Sequence, residues 1–313
     1  MKKIKNLLIF NLFLISSLIA QSNYSLSFDG SNDYVNIGQD EVLNLEDFTI
    51  STWFKTDWSS DNGGAWLYIM GSQDKYSFTL NGIHSSGGSA LRFSMELSYG
   101  FGAHIQSTID VSDNNWHHAA VTRNNQTGVF KMYIDGVYVG NNEDAGEGAA
   151  SSADLAGVIN INAPFLMGDW RTSGRAPFNG LIDETMLWNE ELSLAEIQSY
   201  MHSSPDGSES NLIGYWDFNE GSGTTLSNIN SNNIDGTISG ASWSTTALIS
   251  GCTDQYADNY NSNATVDDGT CSGYPDNGDY VLSFDGENDL VQLNKSLISS
   301  SQNTFIAVFN ANE

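Results

Sequence analysis

Three consecutive residues, Asp169, Trp170 and Arg171, carry the side-chain chemistry that sugar recognition uses. Sugars are held by the face of an aromatic ring together with a few planar polar groups, and this triplet supplies both. The alternative interpretation is that Trp170 packs in the core or at the rim of a β sandwich. We predict that the triplet contributes to a site for a hydroxyl-rich ligand.

Asp183 and Glu184 are the nearest match to the carboxylate pair of a jelly-roll glycosidase. Neighbouring residues of a strand point to opposite faces, so we expect that these two acids cannot act together. By the same reasoning His117 and His118 cannot share one ligand. The motifs GxSxG and HExxH and the phosphate-binding Walker loop are absent from the sequence. We therefore expect that these residues do not form an enzyme.

The first twenty residues are typical of a secretory signal peptide. Lys2, Lys3 and Lys5 precede the apolar run Leu7–Ala20, which is shorter than the roughly 20 apolar residues of a membrane span. The sequence has no later run that could cross a bilayer. We predict a secreted, extracellular or cell-surface protein without membrane insertion.

The charge of the chain is strongly negative. It carries 38 acidic and 11 basic residues, and removal of residues 1–20 takes away three lysines, which leaves 8 − 38 = −30. Such a field repels phosphate backbones, so nucleic acid is not expected as a partner. It also attracts divalent cations, although solubility in a salty medium explains the charge equally well.

Cys252 and Cys271 are the two cysteines of the sequence. In an exported chain such a pair predicts one disulfide bond. Closing a loop of this length contributes roughly 3 kcal/mol, which matters for a segment with few apolar residues. The segment from Gly251 to Cys271 also resembles a short, acidic, Cys-bounded repeat that separates modules in exported bacterial proteins.

Short strands dominate the rest of the pattern. The sequence has 30 Gly, 8 Trp, 13 Tyr and 15 Phe, and it alternates apolar and polar residues between turn residues. Asp135-Gly136 between two β-rich runs predicts a two-residue hairpin. Ser193 and Glu196 form a capping box that starts one short helix. We predict an all-β fold, a two-sheet antiparallel jelly-roll sandwich with one short C-terminal helix.

Four stretches, in order, resemble the laminin-G-like, concanavalin A-like jelly roll of secreted bacterial proteins: Leu26–Gly38, Phe48–Lys55, Asn114–Gly140 and Pro177–Met201. A fifth, Leu212–Ser244, normally precedes the first of these but here follows the helix. We expect that it folds back and completes the first sandwich, as in a circular permutation. The alternative is an independent piece of a following module.

The resemblance also implies a structural Ca²⁺ where the first strand meets a late strand. The matching positions are Asp29, Asp33, Asp183 and Glu184, and hard oxygen ligands suit calcium. The alternative is that Asp29 and Asp33 only accept hydrogen bonds within a turn, as aspartate often does.

One stretch occurs twice. Tyr24–Val35 and Tyr280–Val291 match at nine of twelve positions, 256 residues apart, so a whole domain repeats. We predict a signal peptide at 1–20 and a laminin-G-like jelly roll at 21–248, with 204–248 completing it. A Cys-bounded acidic spacer at 249–275 and the truncated start of a second module at 276–313 follow. We expect that Tyr280–Glu313 does not fold by itself.

The resemblance implies a secreted or cell-surface carbohydrate-binding or adhesion module, associated with calcium and without catalysis. Its expected partner is a glycan or an extracellular protein. Two alternatives are a structural spacer in a large surface protein and an accessory binding domain of a polysaccharide-degrading enzyme. Fold class alone does not decide among them.

Overall fold

The computed structural model describes residues 23–58, 67–73, 75–81, 90–98, 101–142, 150–169 and 177–273. The predicted signal peptide, Trp170, Arg171 and the second copy of the repeated stretch lie outside these residues.

Strands are the main regular secondary structure of the described chain. In chain order they are β1 (Ser25–Asp29), β2 (Tyr34–Gly38), β3 (Phe48–Lys55), β4 (Leu67–Ser72), β5 (Tyr76–Asn81), β6 (Ala90–Ser98), β7 (Phe101–Asp110), β8 (Trp116–Arg123), β9 (Phe130–Ile134), β10 (Val137–Asn141), β11 (Phe165–Met167), β12 (Asn179–Trp188), β13 (Leu212–Trp216), β14 (Thr225–Leu226), β15 (Gly236–Ser239), β16 (Ser242–Ser244), β17 (Ser250–Gly251) and β18 (Val266–Asp267). The helix α1 spans Leu194–Tyr200, and two short 3₁₀ turns lie at Glu41–Leu43 and Ser152–Leu155.

Two antiparallel sheets face each other, each of eight strands among the residues described. The first has the order β10-β9-β8-β3-β12-β1-β16, with β13 paired to β12. The second has the order β14-β15-β2-β11-β4-β5-β6-β7. This confirms the predicted all-β jelly-roll sandwich with one short helix. None of the described helices has the length and apolar character that a membrane span requires.

The segment 204–248 lies within both sheets. β13 pairs with β12 and β16 pairs with β1 in the first sheet, while β15 pairs with β2 in the second. Trp216 on β13 is fully buried and donates through Nε1 to the carbonyl of Ile234 at 3.2 Å. The late segment therefore supplies strands and core side chains to the sandwich.

The core fills the space between the two sheets. On β3 the residues Phe48, Ile50 and Phe54 point inward, while Trp53 points to the outer face of the first sheet. Phe178 packs edge-on against Phe54, with 6.5 Å between the ring centroids. This period of two is the pattern that the sequence predicts for a strand with one face in the core.

Two local predictions are confirmed. Asp135 and Gly136 both have positive φ, 49° and 68°, in the two-residue turn between β9 and β10. Ser193 caps α1, and Glu196 closes the capping box by accepting from the Ser193 backbone at 2.8 Å.

The Cys-bounded segment packs on the outer face of the first sheet. A disulfide joins Cys252 and Cys271, and β17 pairs in parallel with β18. Val266 of β18 packs against a cluster that contains Trp53 and Leu248. The segment is therefore attached to the sandwich by apolar contacts as well as by the chain.

Candidate functional site

A β-bulge in β12 shapes the outer face of the first sheet. Asp183 pairs with Trp53 and Met186 pairs with Ser51, so three steps on β12 face two steps on β3. The extra residue is Glu184, whose φ of 48° lies in the left-handed region. A bulge of this kind shifts the alternation of a strand by one residue and redirects side chains.

The bulge overturns the prediction that Asp183 and Glu184 point to opposite faces. Asp183 accepts a hydrogen bond from the backbone of Leu248, which belongs to a cluster on the outer face. Glu184 lines a cavity on that same face together with Trp53. Both acids lie on the outer side because the inserted residue breaks the period of two that the prediction assumed.

Asp183 is a buried structural acceptor. Its Oδ2 accepts from the Leu248 N–H at 2.9 Å and its Oδ1 from the Glu184 N–H at 2.9 Å. Burial raises the pKa of the Asp183 carboxyl well above its usual range, and the adjacent Glu184 charge adds to this effect. Both oxygens are engaged in holding the chain after β16 against the bulge, so this carboxyl is not open to a ligand.

Glu184 is also largely shielded from solvent but keeps one oxygen open. Its Oε2 accepts from the Tyr215 hydroxyl at 2.5 Å and from the Ser204 hydroxyl at 3.4 Å. Among the residues described, no donor reaches Oε1. Burial raises the pKa of the Glu184 carboxyl to about 7, against the lowering effect of the Tyr215 hydrogen bond.

A cavity of about 230 Å³ opens over the free oxygen of Glu184. We call it the outer-face pocket. It lies between the first sheet, the end of α1 and the chain that enters the Cys-bounded segment. Its lining residues are Asn23, Trp53, Glu184, Tyr200, Met201, His202, Ser204, Leu248, Ile249 and Ser250.

Packing of α1 fixes one wall of the outer-face pocket. Ile197 is buried in a cluster with Met186 and Trp188, the outward residues of β12 beyond the bulge. Tyr200 stacks on Trp188 with 4.7 Å between the ring centroids. The bulge therefore sets the outward orientation of Glu184, which lines the pocket, and of Met186 and Trp188, on which α1 packs.

The predicted four-carboxylate calcium site does not come together in the fold. Asp29 pairs with Asn179 in the register of β1 and β12, four positions from Asp183. Asp33 instead accepts from the Asp29 N–H at 2.8 Å, and Asp29 accepts from the Ser31 N–H at 2.8 Å. Among the described residues no group of three or more His, Cys, Asp or Glu side chains is arranged to hold a metal ion. The hydrogen bonds of Asp29 and Asp33 match the alternative interpretation, in which both aspartates accept hydrogen bonds within a turn.

The predicted sugar-binding triplet is only partly within the described chain. Asp169 follows β11 and its side chain is 0% exposed, so solvent does not reach its carboxyl. Trp170 and Arg171 lie outside the described residues. Their role in binding stays a prediction.

The adjacent histidines do not form a joint site. His117 bridges two carboxylates, with Nδ1 at 2.9 Å from Asp135 and Nε2 at 3.0 Å from Asp113. His118 points the other way from its neighbour and is 3% exposed, beside the Trp53 ring. They lie on opposite sides of β8, as period-two alternation predicts.

Sequence reasoning did not identify the outer-face pocket. Trp53, Ser204 and Leu248 are far apart in the chain, and only Trp53 stands in one of the stretches that resemble the family. The bulge that brings Glu184 toward them leaves no mark in the local pattern, because Glu184 is not a glycine. The nearest signal was the pair of adjacent acids in a strand otherwise rich in apolar residues.

Fold and pocket together define a class, a β-sandwich domain with a small cavity on the outer face of one sheet. The sequence profile of the concanavalin A-like lectin/glucanases superfamily, in its laminin G form, matches residues 29–198. The chain belongs to this family, as its sequence motifs predicted.

Individual relatives are distant. A rat protein, the sushi, von Willebrand factor type A, EGF and pentraxin domain-containing protein 1 of Rattus norvegicus, is 27% identical over 208 residues, 64% of this chain and 5% of that protein. A putative carbohydrate binding protein from Bacteroides ovatus shares the fold with a TM-score of 0.53 and 19% identity, over 71% of this chain and 60% of that one. A heptameric SAP-like pentraxin from Limulus polyphemus aligns with a TM-score of 0.45 and 13% identity, over 57% and 82% of the two chains. The chain therefore spans a small part of its curated relative and under two thirds of the Bacteroides structure.

Proposed function

We propose that this chain is a secreted or cell-surface module that binds carbohydrate, serves adhesion and does not break bonds. The observation that carries the proposal is the outer-face pocket. There Trp53, Glu184 and Ser204 line one cavity, and the Ser204 hydroxyl lies within hydrogen-bond distance of Glu184. A sugar ring presents C–H faces to aromatic side chains and hydroxyl groups to acceptors and donors, so this mixture of walls suits it.

The engagement of Asp183 favours binding over hydrolysis. Glycoside hydrolysis uses two carboxyl groups that flank the scissile bond. In the outer-face pocket only Glu184 has an open oxygen, since both oxygens of Asp183 accept backbone hydrogen bonds. Asp183 therefore has a structural role and does not supply the second carboxyl group that hydrolysis would need.

Two further observations support the proposal, one for a location outside the cell and one for carbohydrate binding. The chain has one disulfide, and disulfides persist in oxidising compartments. The structure from Bacteroides ovatus that shares the fold is itself described as a putative carbohydrate binding protein.

A glycan array with the full chain tests the proposal. We expect binding to a defined set of glycans, and we expect Ser204→Phe to abolish it, because Ser204 lies at the rim and a phenyl group there blocks the cavity. Ser203→Phe is the matched control, since Ser203 is exposed, adjacent and outside the lining of the pocket. Failure of the unmodified chain to bind any glycan would favour the structural spacer instead.

Calcium and the Trp170–Arg171 pair are tested in further arms of the same array. A chelator arm decides whether binding depends on a divalent ion, as the family resemblance implies. Trp170→Ala decides whether that side chain contributes to recognition. Loss of binding in Trp170→Ala together with full binding in Ser204→Phe would place the site at Trp170 and not in the outer-face pocket.

A further inference from the structure

The outer-face pocket has a one-sided charge. Glu184 lines it, and the carboxyl groups of Asp183 and Asp217 lie close enough to interact with Glu184 electrostatically, although burial raises the pKa of Asp183 and so reduces its share of the charge. None of the described lining residues is lysine or arginine, and His202 at the rim is the nearest group that can carry positive charge. The chain as a whole adds a formal charge of −27. A field of this sign excludes uronic and sulfated sugars and attracts cations.

Glu184 is half-buried and has one oxygen that accepts no hydrogen bond from the described residues. Tyr215 and Ser204 both donate to Oε2, so Oε1 is available to a ligand in the cavity that Glu184 lines. A hydrogen bond between a charged donor and an ionised carboxylate is roughly twice as strong as one between neutral groups. An ammonium group on the ligand therefore fits this position better than a hydroxyl group.

The apolar lining and the volume of the outer-face pocket limit which kind of ligand can bring an ammonium group into it. Trp53, Met201 and Leu248 present apolar surface, which packs against C–H groups. The volume of about 230 Å³ is below the roughly 300–1,000 Å³ of pockets for drug-sized ligands. One small ring fits this space, with its polar edge toward Glu184 and its C–H face toward Trp53.

We infer that the outer-face pocket selects a sugar unit with a free amino group, a hexosamine that is not acetylated. The inference rests on the proposed function and names the ligand class of the same site. The ammonium binds Oε1 of Glu184, the ring lies against the apolar wall, and the remaining hydroxyls face Ser204, Ser250 and the opening. Acetylation removes the charge and adds bulk, so the acetylated sugar is rejected.

Titration calorimetry with the full chain at fixed pH and salt tests this, with glucosamine, N-acetylglucosamine, glucose and glucuronic acid as probes. We expect glucosamine to bind about ten-fold more tightly than glucose or the acetylated sugar, the difference between a charged and a neutral hydrogen bond. Glucuronic acid is expected to bind least. Glu184→Gln removes the charge and should reduce glucosamine affinity to that for glucose. Glu191→Gln, at a carboxylate that pairs with Lys131 outside the pocket, should leave the preference intact.

Asp217→Asn provides a second variant if Glu184→Gln does not fold. Asp217 acts on Glu184 only through its charge, so its neutralisation should weaken glucosamine binding by a smaller factor and leave glucose binding unchanged. Equal affinity for glucose and glucosamine overturns the inference while the proposed function stands. An unchanged glucosamine preference in Glu184→Gln overturns it as well. Absence of binding to all four sugars and to the glycan array overturns both together.

Discussion

His117 and His118 differ in environment although they are neighbours on β8. Burial lowers the pKa of the His117 imidazole, but the hydrogen bonds and charges of Asp135 and Asp113 outweigh burial and raise it above 6.5. Burial lowers the pKa of His118 to about 3, against the attraction of Asp135, and His202 lowers it further. The two residues therefore link stability to pH with opposite sign.

We predict opposite pH profiles for His117→Gln and His118→Gln. The pKa of His117 is higher in the folded than in the unfolded protein, so His117 stabilises the fold below pH 6.5, and this stabilisation is lost as the pH rises through the folded pKa.

The pKa of His118 is lower in the folded protein, so its effect is the reverse: stability is lost as the pH falls from 6.5 toward 3, by up to about 1.4 kcal/mol per pH unit. Melting temperatures from pH 5 to 9 check this. The deficit of His117→Gln should shrink as the pH rises, and that of His118→Gln as the pH falls; parallel profiles contradict the prediction.

Arg123, the last residue of β8, connects two loops beside the first sheet through hydrogen bonds. Its guanidinium is fully buried and donates to the carbonyls of Glu46, Leu155 and Gly157 at 2.6, 2.5 and 2.6 Å. It also lies 5.9 Å from the centre of the Phe48 ring. The side chain therefore satisfies three carbonyl groups in two parts of the chain, one at Glu46 and two at Leu155 and Gly157.

We predict that Arg123→Met costs roughly 3 kcal/mol of unfolding free energy, because it preserves volume but leaves buried carbonyls without donors. The matched control is Lys131→Met, which breaks a partly exposed pair with Glu191 at 2.8 Å. Exposed pairs are worth less than about 1 kcal/mol. Urea unfolding of both variants measures the difference. Equal losses in the two would show that the buried carbonyls find other partners.

The strands of 204–248 are not peripheral. β13 covers the side of β12 next to the bulge, and its Tyr215 donates to Glu184. β15 pairs with β2, and β16 pairs with β1. Since these strands pair with β12, β1 and β2, their removal exposes the core and an edge of each of those three strands.

We predict that a chain of residues 21–203 melts far below one of residues 21–248, or does not fold. The longer chain keeps the Leu248 N–H that binds Asp183. Circular dichroism melting of the two chains compares them directly. If they melt at the same temperature, this late segment is not part of the sandwich in solution.

The bulge explains which part of the site the sequence could predict. The Asp135-Gly136 hairpin and the capping box at Ser193 are local signals, and both predictions are confirmed. Strand alternation holds for β3 and for the two histidines of β8 but fails at the bulge in β12. The outward position of Glu184 depends on how β12 pairs with β3, which involves residues about 130 positions away. Register and bulges of this kind arise from pairing between strands, so a local pattern does not contain them.

For the molecule as a whole, motif order was sufficient to predict the sandwich, because the family pattern fixes which strands are present and where turns fall. Whether the chain binds calcium stays a prediction. Asp29 and Asp33 stand in the matching motif, and the pairing of β1 with β12 places Asp29 opposite Asn179, four positions from Asp183. Motif matches give residue types, while distances between them depend on register.

The disulfide closes the Cys-bounded segment on itself by joining Cys252 and Cys271. Inside that segment the Asn261 N–H donates to the Cys252 carbonyl at 2.9 Å and the Asp258 N–H to the Ser272 carbonyl at 3.0 Å. The chain that enters it, Ile249 and Ser250, lines the outer-face pocket. Order in the segment is therefore coupled to one wall of the pocket.

We predict that the double variant Cys252→Ser, Cys271→Ser loses roughly 3 kcal/mol of local stability in residues 249–273. The sandwich should melt almost unchanged, because its core lies between the sheets and does not include this segment. Hydrogen exchange measures both effects: the amides of Asn261 and Asp258 should exchange faster, while that of Ile238, bonded to Thr224 within the sandwich at 2.9 Å, should not. Sugar affinity should fall in parallel, because the wall at Ile249 and Ser250 becomes loose. Unchanged exchange at Asn261 and Asp258 would mean that packing of Val266 on Trp53 and Leu248 holds the segment without the covalent bond.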